Sequence, residues 1–345
     1  MAYGTDVTVF VEDIQGDLGG QPPPGSVWWL SPDVDIVGHP GEAVQGPNDV
    51  RIRVHAHDEP ILEGNIVAEV YVGKPSLVMS PTTGTKRIDP GGIVFRPTYI
   101  PGPEPVASEA GGTATFQWTP SAVAADVDGP GHRCLIVRAF PADVVPPTTP
   151  FDVYNEPHEA QHNIEVLTTA APAAPMSEGG AGTSKDPRLR DDDTGMWWER
   201  FTTMARTEKG ESFVVWAFDP APGKQLVAAL RGALPRGKRF AGFSKEPPAT
   251  VALEAQSGGD ELDPAKLLAN KKFAKRAGLG GKGVFCREHL LAATTVAVKP
   301  DELSQVVLRF DHSNLPKGSA VVLHGAQFDA RGTPEGGMTM VALAP

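Results

Sequence analysis

The segment His158-Glu159-Ala160-Gln161-His162 matches the H-E-x-x-H pattern of zinc peptidases. In that chemistry a helix sets the two histidines on one face and holds the glutamate ready as a base. Here Asn163-Ile164-Glu165-Val166-Leu167 follows at once and reads as a strand. The helix would have barely one turn, and an isolated turn is unstable. No G-x-x-H extension follows, and Glu178 lies in low-complexity text. A zinc hydrolase using His158, Glu159 and His162 is thus the enzymatic alternative that the β reading displaces. The expectation is a protein without catalytic residues, metal or cofactor.

Other chemistry-bearing residues have similarly plain readings. His55 and His57 are spaced to face the same way on a strand, beside Asp58 and Glu59, as a weak surface metal site would need. Arg51 and Arg53 share that face and disfavour a cation, so a solvated strand face is expected. Asp33/Asp35, Asp126/Asp128 and the run Asp191–Asp193 lack the spacing of a helix-loop-helix calcium site and read as wet loops. Phosphate cradles precede a helix, whereas GLGGKG (278–283) follows one and reads as its stop. No nucleophile elbow or nucleotide fingerprint occurs.

The helix in question is DPAKLLANKKFAKRAG. Asp263 suits the N-cap, Pro264 the first helical position and Gly278 the C-terminal stop, which predicts one helix near 264–277. Leu267, Leu268, Phe273, Ala274 and Ala277 give it an apolar side. Lys266, Lys271, Lys272, Lys275 and Arg276 make the other side basic. Such a helix lies against a sheet with its cations in water, and those cations offer a docking patch for an acidic surface, such as that of a neighbouring copy.

The remaining text must build the scaffold. The chain has 345 residues, enough for two domains with their own cores. Its 38 Gly and 34 Pro make about a fifth of the chain, without a collagen period, which suits short strands joined by turns. A net charge of −11 argues against a nucleic-acid partner. Cys134 and Cys286 cannot form a disulfide framework or a CxxC metal site. No basic leader with an apolar run opens the chain, and no stretch is long and apolar enough for membrane insertion. A soluble protein without a signal peptide is expected. Its setting is extracellular or surface- or particle-associated by a non-classical route, or alternatively cytoplasmic.

Residues 1–26 read as an arm with a short strand candidate, TDVTVFVED, closed by QPPPG. Seven strand candidates follow within 27–168: 33–37, 49–57, 64–73, 92–97, 114–118, 133–140 and 162–167. In the second of these Val50, Ile52 and Val54 share one face and Arg51, Arg53 and His55 the other, the alternation of a strand with one wet face. Residues 169–195 are rich in Ala, Pro and Gly and then acidic, and read as a linker. Residues 196–345 hold further candidates at 212–218, 224–230, 250–255, 294–299, 304–310, 320–328 and 337–343. The fold expected is all-β, two tandem immunoglobulin-like β-sandwiches, the second with one inserted helix.

The fragments FQWTP (116–120), GHRCLIVRA (131–139) and AQHNIEVL (160–167) are the order of closing strands in a known module. Over about residues 30–168 the chain resembles the bacterial immunoglobulin-like modules of the cell-adhesion-related kind (CARDB-like). It departs from them in the Pro-rich loop VVPPTTPFD (144–152) and the His/Glu insertion. The resemblance implies a non-catalytic accessory role in adhesion, spacing or binding to surfaces. The second half resembles no family as clearly.

The leading expectation is therefore a structural or interaction protein that forms a homo-oligomer or multiprotein assembly in a filament, particle or surface layer. Trp28, Trp29, Trp197, Trp198, Lys271, Lys272, Lys275 and Arg276 are its contact candidates. A carbohydrate or cell-surface binding module is the alternative. It needs aromatic rings exposed on one face to stack on a surface glycan, drawn from Trp28, Trp29, Trp118, Trp197, Trp198 and Trp216.

Overall fold

The computed structural model describes residues 9–37, 46–56, 66–88, 93–95, 110–123, 126–128, 133–141, 144–167, 196–206, 211–223, 226–227, 240–256, 259–300, 302–311 and 313–344. The expected linker, Glu178, Asp191–Asp193, His57 and most of the 224–230 strand candidate lie outside them.

The first half contains strands β1 (Val9–Phe10), β2 (Val34–Ile36), β3 (Asn48–Ala56), β4 (Ile66–Gly73), β5 (Thr85–Arg87), β6 (Ile93–Phe95), β7 (Ala110–Trp118), β8 (Cys134–Pro141), β9 (Glu159–His162) and β10 (Ile164–Leu167). The second contains β11 (Met196–Thr203), β12 (Glu211–Phe218), β13 (Gly242–Phe243), β14 (Val251–Ala255), β15 (Glu261–Leu262), helices α1 (Pro264–Ala269) and α2 (Lys271–Ala277), then β16 (Leu290–Ala297), β17 (Ser304–Asp311), β18 (Ser319–Phe328) and β19 (Pro334–Leu343). The chain is all-β apart from short helices, and no helix among the described residues is long and apolar enough to cross a membrane.

Two sandwiches result. In the first, the sheet β1-β3-β2, with β7 also on β3, faces the sheet β5-β4-β8-β9, with β6 also on β4. Val50, Ile52 and Val54 of β3 meet Val70 and Val72 of β4 and Leu135 and Val137 of β8 between them. The inward set is the one the alternation marks, while Arg51 and Arg53 are exposed. In the second sandwich, β11-β17-β14 faces β10-β19-β18-β12-β16-β15. Phe201, Leu308 and Phe310 there pack on Trp216, Leu323 and Met340.

A third core joins the sandwiches. The outer faces of β4 and β8 contribute Tyr71, Cys134 and Ile136, and those of β12, β18 and β19 contribute Val215, Val322 and Val341. Trp28, Trp29, Phe151, Tyr154, Phe273 and Phe285 fill the space between. Both central sheets are therefore covered on both sides, and β18 and β19 are buried along their whole length. A strand with two dry faces reads as a continuous apolar run rather than an alternating one, as AVVLHGAQF and MTMVAL do.

The chain passes between the sandwiches in one extended run. β9 pairs with β8 of the first, and β10 pairs in parallel with β19 of the second. Asn163 stands at the step. Its N–H donates to the Trp29 carbonyl at 2.9 Å, and its carbonyl accepts from the Thr339 N–H at 3.0 Å. Its Nδ2 donates to the carbonyls of Ser76 and Gly337, and its Oδ1 accepts from the Cys134 thiol. Every polar group of this buried side chain is engaged. Cys134 and Cys286 are both free thiols.

The helical segment differs from the single helix expected. Asp263 caps α1, accepting from the Ala265 N–H at 2.8 Å, and Gly278 ends α2 at φ +68°. Asn270 interrupts the run between them, ending α1 and capping α2 through the Phe273 N–H at 3.2 Å. An asparagine side chain competes well for free amides, so it starts a new helix where a longer one would continue. A Cβ on Gly278 would lie 2.2 Å from the Gly25 nitrogen, so the helix end seats directly on the QPPPG turn of the first half.

Candidate functional site

His158-Glu159-Ala160-Gln161-His162 is not a helix. Glu159–His162 form β9, and the whole motif is buried. Extended backbone spaces residues by about 3.3 Å each, so positions i and i+4 do not converge on one ion. Glu159 Oε2 accepts from the Asp152 N–H at 2.7 Å, while His162 Nδ1 lies 3.3 Å from the Ser31 carbonyl. Burial pushes the His162 imidazole below its ordinary pKa. These side chains fasten a loop and a strand rather than ligate zinc.

A second arrangement has the order of a nucleophile relay. Asp219 Oδ2 lies 3.2 Å from His324 Nε2, and His324 Nδ1 lies 2.8 Å from Thr339 Oγ1. Thr339, however, is 0% exposed, and its Oγ1 accepts the indole N–H of Trp29 at 3.0 Å. A hydroxyl sealed beneath an indole cannot meet a substrate. The chain of bonds instead ties Trp29 of the first half to β19 of the second. Gly337 permits this contact, since a Cβ there would lie 2.1 Å from the Trp29 ring.

Trp28 and Trp29 are thus 3% and 0% exposed, and the expectation that they offer an outer contact surface is corrected. They are contact residues, but the surface they meet is the chain's own second half. Their apolar bodies fill the third core, and the Trp29 N–H finds a buried acceptor there. Trp118 and Trp216 are also buried, so four of the six tryptophans provide no stacking platform for a glycan. Trp197 and Trp198 pair with Phe310 and Arg309 through their backbones in β11, and their side chains lie outside the described residues.

The basic helix behaves differently. At the rim of the third core a cleft of about 960 Å³ opens between the halves. Gln21, Pro24, Tyr154 and Asn155 form one wall, and α2 and the turn after β18 form the other. Lys272, Lys275 and Arg276 project from α2, and Arg331 joins them from that turn. All four are exposed, and none makes an ion pair among the described residues. No carboxylate lines the cleft among those residues, although the chain carries a net charge of −11. Lys275 and Arg276 sit in the last turn of α2, where the helix dipole favours cations. That local preference does not account for Lys272 and Arg331 meeting them.

Phe273, Ala274 and Ala277 are buried against the third core, which holds α2 with its cations outward. Lys271 is exposed beside them but does not line the cleft. Sequence reading therefore finds three of the four cations. Arg331 escapes it because a lone arginine in the turn ARGTP has no motif, and only the packing of that turn on α2 brings it near. Gly332 makes that packing possible, since a Cβ there would lie 2.7 Å from the Phe273 carbonyl oxygen.

No family model and no curated protein matches this chain. Among solved structures it aligns with the collagen adhesin CNA of S. aureus, at 8% identity over 90% of this chain and 92% of that one, with a TM-score of 0.19. It also aligns with the CFA/I adhesin CfaE of enterotoxigenic E. coli, at 7% identity over 100% and 90% of the two chains, with a TM-score of 0.20. Scores this low carry no argument about fold or function.

Proposed function

We propose that this chain is a non-catalytic interaction protein that receives an acidic protein surface in the basic cleft between its sandwiches. The observation that carries this reading is the convergence of Lys272, Lys275, Arg276 and Arg331, in an acidic chain, with no counter-ion among the described residues. Like charges held together cost free energy until an anion meets them, so a complementary surface is stabilised there. A second copy of this chain, itself strongly acidic, supplies such a surface. The reading suits an immunoglobulin-like component of a filament, particle or surface layer. Sealed histidines and a buried threonine support the non-catalytic part.

The test is multi-angle light scattering of the purified chain at low and high ionic strength. Association through the cleft gives a mass above one chain at low salt that falls toward one chain as salt screens the contacts. A mass of one chain at every concentration and salt rejects self-association.

A further inference from the structure

Away from the cleft, three residues distant in sequence meet where β1 lies across the end of β3. Glu12 follows β1, Asp33 precedes β2, and His55 belongs to β3. A carboxylate oxygen of Glu12, one of Asp33 and a ring nitrogen of His55 all lie within 4.8 Å of one another. Sheet pairing sets the meeting, with Phe10 opposite His55 and Val34 opposite Ile52. His55 is only 7% exposed, which corrects its expected place on a wet strand face. The outward side of β3 is wet at Arg51 and Arg53, but Phe10 stacks on the His55 ring at 5.1 Å and covers it.

An ordinary Asp–His pair explains part of this cluster. Asp33 Oδ2 lies 2.7 Å from His55 Nε2 and accepts from the Glu12 N–H at 2.9 Å. It does not explain Asp33 Oδ1, a buried oxygen that accepts no hydrogen bond among the described residues. Among the described residues the cation paired with Oδ1 is the Arg53 guanidinium at 3.6 Å, on a side chain 61% exposed and able to swing into water. Nor does the pair explain the second carboxylate. An oxygen of Glu12 sits within 4.8 Å of both the Asp33 oxygen and the His55 nitrogen. Two crowded carboxylates beside an imidazole are relieved by a shared cation.

The backbone around the three groups is also braced. Ser31 Oγ donates to the Glu12 carbonyl and accepts the Asp33 N–H at 3.1 Å, which fixes the two acids relative to each other. Bracing of this kind is what orients metal ligands. One nitrogen and two carboxylate donors suit a borderline ion such as zinc better than calcium or magnesium, which take oxygen alone.

We propose that Glu12, Asp33 and His55 form a binding site for a divalent transition ion of the zinc class. The ion takes His55 Nε2 and one oxygen from each acid, Arg53 turns to solvent, and the turn after β1 is clamped to β2 and β3. Coordination needs the ring nitrogen and both acids unprotonated, so uptake weakens as pH falls. The site is independent of the cleft and of any association through it.

The experiment is calorimetric titration of the chelator-treated full-length chain with zinc chloride, with calcium chloride as control, alongside its thermal midpoint in each ion. Saturable uptake of one zinc with a raised midpoint, and no such response to calcium, is expected. Asp33→Asn should weaken zinc binding at least tenfold. Because that variant risks misfolding, Glu12→Gln is measured beside it. It keeps the Glu12 N–H bond to Asp33, and its far-ultraviolet spectrum checks the fold. Zinc uptake that is absent in the wild type, or unchanged in Glu12→Gln, overturns the proposal.

Discussion

The centre and the rim of the junction between the sandwiches are built from opposite materials. At the centre Trp28, Trp29, Phe285 and Val341 exclude water, and the polar groups of Asn163 are all engaged. At the rim Lys272, Lys275, Arg276 and Arg331 face solvent with no counter-ion among the described residues. One element serves both, because α2 buries Phe273 inward and presents its cations outward. Stability at this junction is thus concentrated in side chains that no partner can reach. The recognition chemistry proposed for it lies in exposed side chains, whose loss the fold is expected to tolerate.

Substitutions can break that contrast at its centre. Trp29→Ala removes the largest side chain bridging the halves and should cost about 3–5 kcal/mol, read from the denaturant midpoint. Asn163→Leu should cost less. It leaves the Ser76 carbonyl without its amide donor, at roughly 1–3 kcal/mol for a buried group that stays unpaired, while the Gly337 carbonyl keeps the bond from Gln161 Nε2 at 2.9 Å. Gly337→Ala forces a methyl against the Trp29 ring, and overpacking of this sort typically costs about 1–3 kcal/mol.

The Asp219–His324 pair gives a smaller effect with a defined pH dependence. Burial alone would raise the Asp219 carboxyl, but the hydrogen bond and charge of His324, helped by the Ala221 N–H and the His289 charge, outweigh it and the net shift is downward. A depressed folded pKa stabilises the protein above the unfolded value, about 3.9, and that contribution is lost as pH falls through the folded value. Asp219→Asn should therefore lower the unfolding midpoint at pH 7, with the difference from wild type shrinking once the pH falls below the folded value. Equal differences at both ends would contradict the assignment.

Much of the scaffold was legible because its rules are local. The alternation of Val50, Ile52 and Val54 marked the inward face of β3, and Asp263, Pro264 and Gly278 marked the ends of the helical segment. Asn270 also carried a signal, since asparagine is a strong N-cap, but the apolar face running through it read as continuous. What long-range packing decides was not legible. HNIEVL reads as one strand of the first sandwich, yet Asn163 divides it and sends 164–167 to β19. The Trp28-Trp29 pair reads as a contact, and only the fold shows that its partner is the same chain. His55 reads as wet because the ring that covers it, Phe10, comes from the N-terminal arm.

The most direct test is the Lys272→Glu/Lys275→Glu/Arg276→Glu variant, followed by light scattering at low salt and by its unfolding midpoint. The account predicts a mass that drops to that of one chain while the midpoint stays within about 1 kcal/mol of wild type, as exposed charges contribute little to folding. A variant that still associates, or one whose midpoint falls as far as that of Trp29→Ala, would contradict it.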